Sequence, residues 1–248
     1  METDLIVYDE VDSTNTVVMK LADCGAPEGT CVIALSQTKG QGRSGRSFFS
    51  PEGGNLYMSL LLRPDTDVRF DKITMAAAVA VSESIDDAFG IKTGIKWVND
   101  IYHEGRKVCG IVAVAQNVGY DDRYVILGIG INIYAHEVPD DIAMIYGSIY
   151  KNKCDLSKEE QKKSAAELAH KIKEAFFGYY DDPSSPDLIN GYREKSIVVG
   201  SDVLYVSGND TYKAKAVGID DDGGIILDLD GDVRSYRDGE IRIRIADM

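Results

Sequence analysis

Positive charge is scarce in this chain. Its 248 residues hold 41 Asp+Glu against 27 Lys+Arg, a formal net charge of −14 at pH 7. A protein that grips a phosphate backbone needs a basic face, so nucleic acid is not an expected partner. An anionic membrane surface is disfavoured on the same ground. No apolar run approaches the roughly 20 residues needed to span a bilayer. The acidic start, Met1-Glu2-Thr3-Asp4, is neither a secretory nor a transit peptide. The expected setting is the cytoplasm. Only four Cys and three His are present. Cys24, Cys31, Cys109 and Cys154 show no C-x-x-C spacing, and His103, His136 and His170 are scattered in polar context. Neither a disulfide framework nor a His/Cys metal site is expected, and the cysteines read as small buried hydrophobes. What remains, 44% hydrophobic and 27% charged residues, is ordinary for a globular protein. The length suits one large domain, or a large one with a small one.

Against this acidic background one stretch is out of character. Gln37-Thr38-Lys39-Gly40-Gln41-Gly42-Arg43-Ser44-Gly45-Arg46 packs three glycines among Lys39, Arg43 and Arg46. Glycine lets bare N–H groups approach a ligand closely, and arginine forks pair with carboxylate or phosphate oxygens. Together they suggest a loop that wraps a small anion. It is not a P-loop, because no Gly-Lys-Ser/Thr follows. Gly40 to Gly45 matches G-x-G-x-x-G, but Pro51, Gly53 and Gly54 follow where a dinucleotide fold needs a helix.

The rest of the chain places this loop. Leu5–Tyr8 reads as a first strand. Asp12-Ser13-Thr14 offers N-caps to a short helix through Val17, Val18 and Leu21, ending at Gly25. These small polar groups could also bind a neutral polar ligand, though capping is the simpler reading. Thr30 to Gln37 and Leu56 to Leu62 are apolar strands on either side of the basic loop, which puts it at a sheet end. Phe70 to Phe89 is a helix with an Ala-rich apolar face, stopped by Gly90. Gly94 to Asp100 runs from strand into a turn at Asn99-Asp100, a pair that suits a ribose or a phosphate-bound Mg²⁺ as well as a plain turn. Lys107 enters a strand running to Val114. Tyr124 to Asn132 is a strand whose Gly128 and Gly130 leave two side chains missing from one face, making room for a ligand or a neighbouring backbone. Residues 135–155 read as an irregular, mobile loop. Ser157-x-x-Glu160 is a capping box opening a long helix, and a short helical piece holds Leu188 and Tyr192. After Ser196 come four short strands, Val203–Val206, Tyr212–Val217, Gly224–Leu229 and Ile241–Ile245, separated by Asp/Gly turns.

Six motifs then stand in order: Asp12-Ser13-Thr14-Asn15; Gln37 with the Gly40–Arg46 loop; Asn55-Leu56-Tyr57 with Ser59; Lys96-Trp97-x-Asn99-Asp100; Lys107-x-x-Gly110-Ile111; and Gly128-Ile129-Gly130-Ile131-Asn132. Together they resemble the biotin–protein ligase family over almost the whole chain. The resemblance implies an α+β fold. A mixed β-sheet with packed helices, of the class II synthetase-like biotin/lipoate ligase type, would occupy residues 1–195, and an SH3-like β-barrel residues 196–248. It implies that biotin carboxylate attacks the α-phosphate of ATP to give biotinyl-5′-AMP and pyrophosphate. A lysine of a biotin carboxyl carrier protein then attacks the mixed anhydride.

By resemblance, Ser13, Thr14, Asn15 and Gln37 face the biotin head group, with Gln41, Gly42, Arg43, Lys107 and Gly110 completing the biotin site. Arg43, Arg46, Phe48, Asn99, Asp100, Lys107 and Asn132 attend ATP and the adenylate. Lys107 and Arg43 are the catalytic pair, and Asp100 would ligate Mg²⁺. Members are often homodimers through sheet edges. The repressor branch carries an N-terminal helix-turn-helix domain; this sequence begins at the catalytic domain, so the monofunctional form is expected. The chain departs from the family pattern at Gln41 (usually Arg), Phe48 (usually Trp) and Val98 (usually Pro). A lipoate or octanoate ligase shares the fold, but its Arg-Arg-x-x-Gly-Gly-Gly signature is absent. A non-catalytic biotin sensor would lack Arg43, Arg46, Asp100 and Lys107, all of which are present.

Overall fold

The computed structural model describes residues 5–64, 70–117, 123–237 and 240–243. It divides the chain into two compact units, one of residues 1–68 and 106–174, the other of residues 69–105 and 175–248. The first unit is built on a mixed sheet. Its strands are β1 (Leu5–Val11), β2 (Cys31–Gln37), β3 (Leu56–Leu62), β6 (Arg106–Gln116) and β7 (Tyr124–Ile131), in spatial order β1-β2-β3-β7-β6. β1 and β2 are parallel and joined by helix α1 (Thr14–Asp23). The other pairings are antiparallel.

The apolar runs Thr30–Gln37 and Leu56–Leu62 form β2 and β3, and the run from Tyr124 forms β7. Every residue of β3 and β7 is buried, as expected for strands covered on both faces. α1 lays Val18 and Ala22 on Val32, Leu61, Tyr124 and Ile126. Burying a side chain the size of Val18 contributes about 1.5–3 kcal/mol, and the Ala22 methyl roughly 0.8 kcal/mol. The capping box forms as predicted: Glu160 accepts from Ser157 N at 2.8 Å and donates its own N–H to Ser157 Oγ at 3.4 Å. It opens α3 (Lys158–Tyr180).

In the second unit, α2 (Phe70–Phe89) forms over the expected residues, with Asp71 in its first turn. Gly90 stops it with φ +64°. The hairpin β4 (Gly94–Lys96) and β5 (Asp100–His103) follows, then α4 (Pro186–Glu194). The C-terminal module is an antiparallel sheet, β11-β10-β9-β8-β12. Its strands are β8 (Asp202–Ser207), β9 (Asp210–Ile219), β10 (Ile225–Leu229), β11 (Asp232–Tyr236) and β12 (Glu240–Ile243).

Several expectations need correction. β5 and β11 were not foreseen, being short and polar. Ile245 lies outside the described residues. Cys31 and Cys109 are buried, but Cys24 is exposed and Cys154 half-buried, because Cys24 falls at the solvent-facing C-cap of α1. Residues 135–155 are irregular but not loose. Gly147 N donates to Lys107 O, Ile149 N to Asn132 O and Tyr150 N to Ile133 O, at 2.7–3.0 Å. These bonds stitch the segment along the ends of β6 and β7. Among the described residues no helix is long and apolar enough to cross a membrane.

Candidate active site

The first unit gathers its candidate residues at one end of its sheet. Ser13 is the N-cap of α1, yet its side chain makes no cap bond. The capping reading is therefore wrong for the hydroxyl. Ser13 is 1% exposed, and its Oγ has no hydrogen-bond partner. Its neighbours form a closed network instead. Thr14 donates to Gln37 Oε1 through its backbone N (2.9 Å) and its hydroxyl (3.1 Å). Gln37 Nε2 donates to Ser50 Oγ at 2.9 Å. Ser59 Oγ lies 2.7 Å from Thr14 Oγ1 and 2.6 Å from Asn15 Oδ1. Thr14, Asn15 and Ser59 are buried. An unmade hydrogen bond at such depth costs about 1–3 kcal/mol, so the Ser13 hydroxyl is set for a polar partner.

The glycine loop is rooted beside Ser13. Thr38 N donates to Val11 O and Lys39 N to Asp12 O. It is already folded as a small hairpin: Gln41 and Ser47 bridge antiparallel, Gly42 N donates to Arg46 O (2.8 Å), and Phe48 N donates to Gly40 O (2.9 Å). A Cβ on Gly40 would collide with the Phe48 carbonyl oxygen. A short 3-10 turn at Arg43–Gly45 forms the tip, with Arg43 and Arg46 on its exposed surface.

The bare patch on β6 and β7 has occupants. Gly110 and Gly130 are cross-strand partners, and the Phe48 ring fills the space both lack. A Gly110 Cβ would sit 2.9 Å from that ring, and one on Gly130 would run into it. Lys107 curls over the same spot, its Nζ 3.2 Å from the Gly110 Cβ position. Gly128 makes room for Asn15, whose Oδ1 would lie 2.5 Å from an added Cβ. The missing side chains thus admit two side chains of the protein itself. Phe48 meets Tyr57 edge-on with centroids 6.4 Å apart.

Asn132 closes β7. Its Nδ2 donates to Gly147 O at 3.0 Å, while its buried Oδ1 has no partner. Two residues assigned no role from sequence turn out to hold the site. Ser59 joins α1 to the sheet; a serine inside the apolar run Leu-Tyr-Met-Ser-Leu-Leu-Leu was its signal. Asn55, fully buried, donates to Tyr57 Oη (3.1 Å) and accepts from Ile133 N (2.9 Å) and Tyr134 N (3.1 Å). Burial also pushes the Tyr146 hydroxyl up to about 12, so it stays protonated beside this end of the sheet.

Asn99 and Asp100 belong to the second unit. Asn99 is buried in the Trp97–Asn99 turn, and Asp100, half-buried, opens β5 opposite Lys96. Thr14, Asn15 and Gln37 therefore come together in one network, with the unbonded Ser13 hydroxyl next to it in the chain. Phe48, Lys107 and Gly110 meet in a second cluster, with Gln41, Gly42, Arg43 and Arg46 on the hairpin between.

A model of the biotin/lipoate A/B protein ligase family matches residues 7–132, and one of the biotin protein ligase C-terminal domain matches residues 200–244. The chain belongs to the biotin protein ligase family. It is 33% identical over 245 residues to the bifunctional ligase/repressor BirA of Bacillus subtilis, spanning 96% of this chain and 74% of that protein. It is 28% identical over 235 residues to the biotin–[acetyl-CoA-carboxylase] ligase of Mycobacterium tuberculosis, spanning 92% and 84%. Among solved structures, the biotin protein ligase of Aquifex aeolicus in complex with biotin and ATP superposes with a TM-score of 0.79 at 27% identity. That match covers 98% of this chain and 99% of the other. The α+β architecture of this ligase family is thus the architecture of the chain.

Proposed function

We infer that this chain is an ATP-dependent biotin protein ligase, forming biotinyl-5′-AMP and passing biotin to a lysine of a biotin carboxyl carrier protein. The observation that carries the reading is the unpartnered, 1% exposed Ser13 hydroxyl. It stands beside the Thr14–Gln37–Ser59–Asn15 network and at the root of a cationic hairpin. A neutral ureido group fits the first and a carboxylate the second. Ser13, Thr14, Asn15 and Gln37 take the biotin head group. Phe48 on its glycine floor, with Gln41, Gly42 and Gly110, lines the rest.

In the first step a carboxylate oxygen bonds to Pα as the Pα–O bond to pyrophosphate breaks. Two anions must meet, so their charge must be offset in a water-poor site. The Lys107 ammonium and Arg43 guanidinium do this at the acyl phosphate. The family resemblance assigns Arg46, Phe48 and Asn132 of the first unit, and Asn99 and Asp100 of the second, to the nucleotide, and the unpartnered Asn132 Oδ1 is open to a donor. For Mg²⁺ the residues present suit an ion carried by the phosphates, which needs only one or two protein carboxylates. Asp100 offers one, and among the described residues no cluster of three or more His, Cys, Asp or Glu forms a cage. Bound there, the ion would offset charge on the departing pyrophosphate. The hairpin then shields the anhydride until the acceptor lysine arrives. On this reading residues 1–195 form the catalytic domain and 196–248 the C-terminal domain.

The test is exchange of labelled pyrophosphate into ATP with Mg²⁺. Exchange that requires biotin, and that lipoate does not support, is expected. Exchange driven equally by lipoate, or none at all, overturns the reading.

A further inference from the structure

The turn that carries Asn99 and Asp100 is held from two sides within the second unit. The Trp97 side chain, 5% exposed, donates its indole N–H to Gly223 O at 3.0 Å. Tyr192 of α4, 1% exposed, donates its hydroxyl to Val98 O at 2.9 Å. Gly223 sits in the turn between β9 and β10, and that turn is itself rigid. Asp220 accepts from Asp222 N (2.9 Å) and Gly224 N (2.7 Å), and its backbone N donates to Gly224 O (2.9 Å). Gly223 has φ +86°, and a Cβ there would come within 3.1 Å of Met75 Sδ on α2. Arg193, next to Tyr192, binds Ile219 O (2.9 Å) and Asp221 (2.7 Å). One helix thus grips both turns, while the indole joins them directly. A buried indole N–H needs an acceptor, so Trp97 has one orientation, and with it the backbone leading into Asn99.

We propose that the β9–β10 turn of the C-terminal sheet is a positioning element for the Asn99–Asp100 corner, acting through the Trp97 indole N–H. It gives the C-terminal module a part in the first half-reaction, through geometry rather than through contact with nucleotide. The proposal rests on the assignment of Asn99 and Asp100 to the nucleotide, made above.

Trp97→Phe removes the donor and leaves a smaller aromatic ring in its place. Tyr192→Phe removes the second tie and serves should the first variant fold poorly. Arg234→Ala, on the exposed Arg234–Asp232 pair, is the control. In the exchange assay Trp97→Phe should raise KM for ATP about ten-fold with kcat within about two-fold and biotin affinity unchanged. Amide hydrogen exchange at residues 97–100 should quicken by about ten-fold or more, with the melting temperature little changed. Arg234→Ala should alter neither. Unchanged protection at residues 97–100, or equal losses for biotin and ATP, overturns the positioning role. A wild-type protein without biotin-dependent exchange overturns the ligase reading instead, and the nucleotide assignment falls with it; hydrogen exchange still judges the clamp.

Discussion

Gly128 offers a sharp test of how the site is built. A methyl added there would meet Asn15 Oδ1 at 2.5 Å, Asn15 Nδ2 at 3.1 Å and Val112 Cγ1 at 3.1 Å. Asn15 cannot retreat freely, because its Oδ1 is held 2.6 Å from the fully buried Ser59 hydroxyl. Gly128→Ala must therefore break that hydrogen bond, a loss of about 0.5–1.5 kcal/mol, and strain the packing, a cost of about 1–3 kcal/mol. Together these give about 2–4 kcal/mol, or a fall in melting temperature of about 5–15 °C for a chain of this size. Biotin affinity should drop about ten-fold for each 1.4 kcal/mol by which Asn15 is misplaced. The decisive measurement is a double-mutant cycle. With Asn15→Ala in place the Asn15 amide is gone and only Val112 Cγ1 at 3.1 Å remains close, so Gly128→Ala should cost under about 1 kcal/mol, a coupling of about 1–3 kcal/mol. A cost that is the same in both backgrounds would refute the account, since the strain would then lie elsewhere on β7.

Lys107→Ala should abolish adenylate formation, read as loss of biotin-dependent exchange, while leaving biotin binding measurable by calorimetry; near wild-type turnover would remove Lys107 from the mechanism. Asn55→Ala leaves the Ile133 and Tyr134 amides without their acceptor and should lower unfolding stability by about 2–5 kcal/mol in urea titration; a loss under about 1 kcal/mol would show that water replaces the side chain. Burial holds the His136 imidazole below its ordinary 6.5, so it folds neutral. Its stabilisation is whole above pH 6.5 and is lost as pH falls through its lowered folded value, and His136→Gln should flatten the fall in melting temperature over that acid range. Gln41→Arg adds a cation to an exposed hairpin position and should slow release of the adenylate about three- to ten-fold at low salt, an effect that fades as salt rises; a salt-independent change would mean the hairpin had altered its shape.

The central strands and both long helices were legible because their signals are local. An unbroken apolar run marks β3 or β7, and a capping box marks α3. The order of six motifs sufficed to foresee the family. What stayed hidden depends on residues far apart in sequence. Gly128 and Gly130 announce empty space, but nothing near them names Asn15 and Phe48 as the occupants, both more than eighty residues upstream. Asp12-Ser13-Thr14 has the composition of a helix cap. Only the position of Gln37 shows that Thr14 is already engaged and that Ser13 Oγ is left over. The segment at residues 135–155 looks loose because its own hydrogen bonds are mostly short turns, such as Ile142 N to Pro139 O, while those that pin it to the sheet run to Lys107, Asn132 and Ile133.

The two ends of the site follow different physical rules. At the α1 end Thr14, Gln37, Ser50, Ser59 and Asn15 already bond one another, so the network is largely formed before any ligand arrives, and a neutral ligand gains by matching the buried, vacant Ser13 hydroxyl. A charge placed there would lose hydration with no counterion to replace it. At the hairpin the logic reverses. Arg43 and Arg46 stand on a backbone closed by its own hydrogen bonds, in a chain of net charge −14. Concentrated cation is there the exception, and it attracts anions that the rest of the surface repels. Phe48 ties the halves together: its carbonyl accepts from Ser50, the partner of Gln37, while its ring lies on the glycine floor beside Lys107. Displacing the loop at either end therefore disturbs the other. A substrate with a neutral polar head and a carboxylate tail is the kind that uses both, whereas an acyl chain without the polar head would leave the Ser13 hydroxyl unmatched and gain only the second.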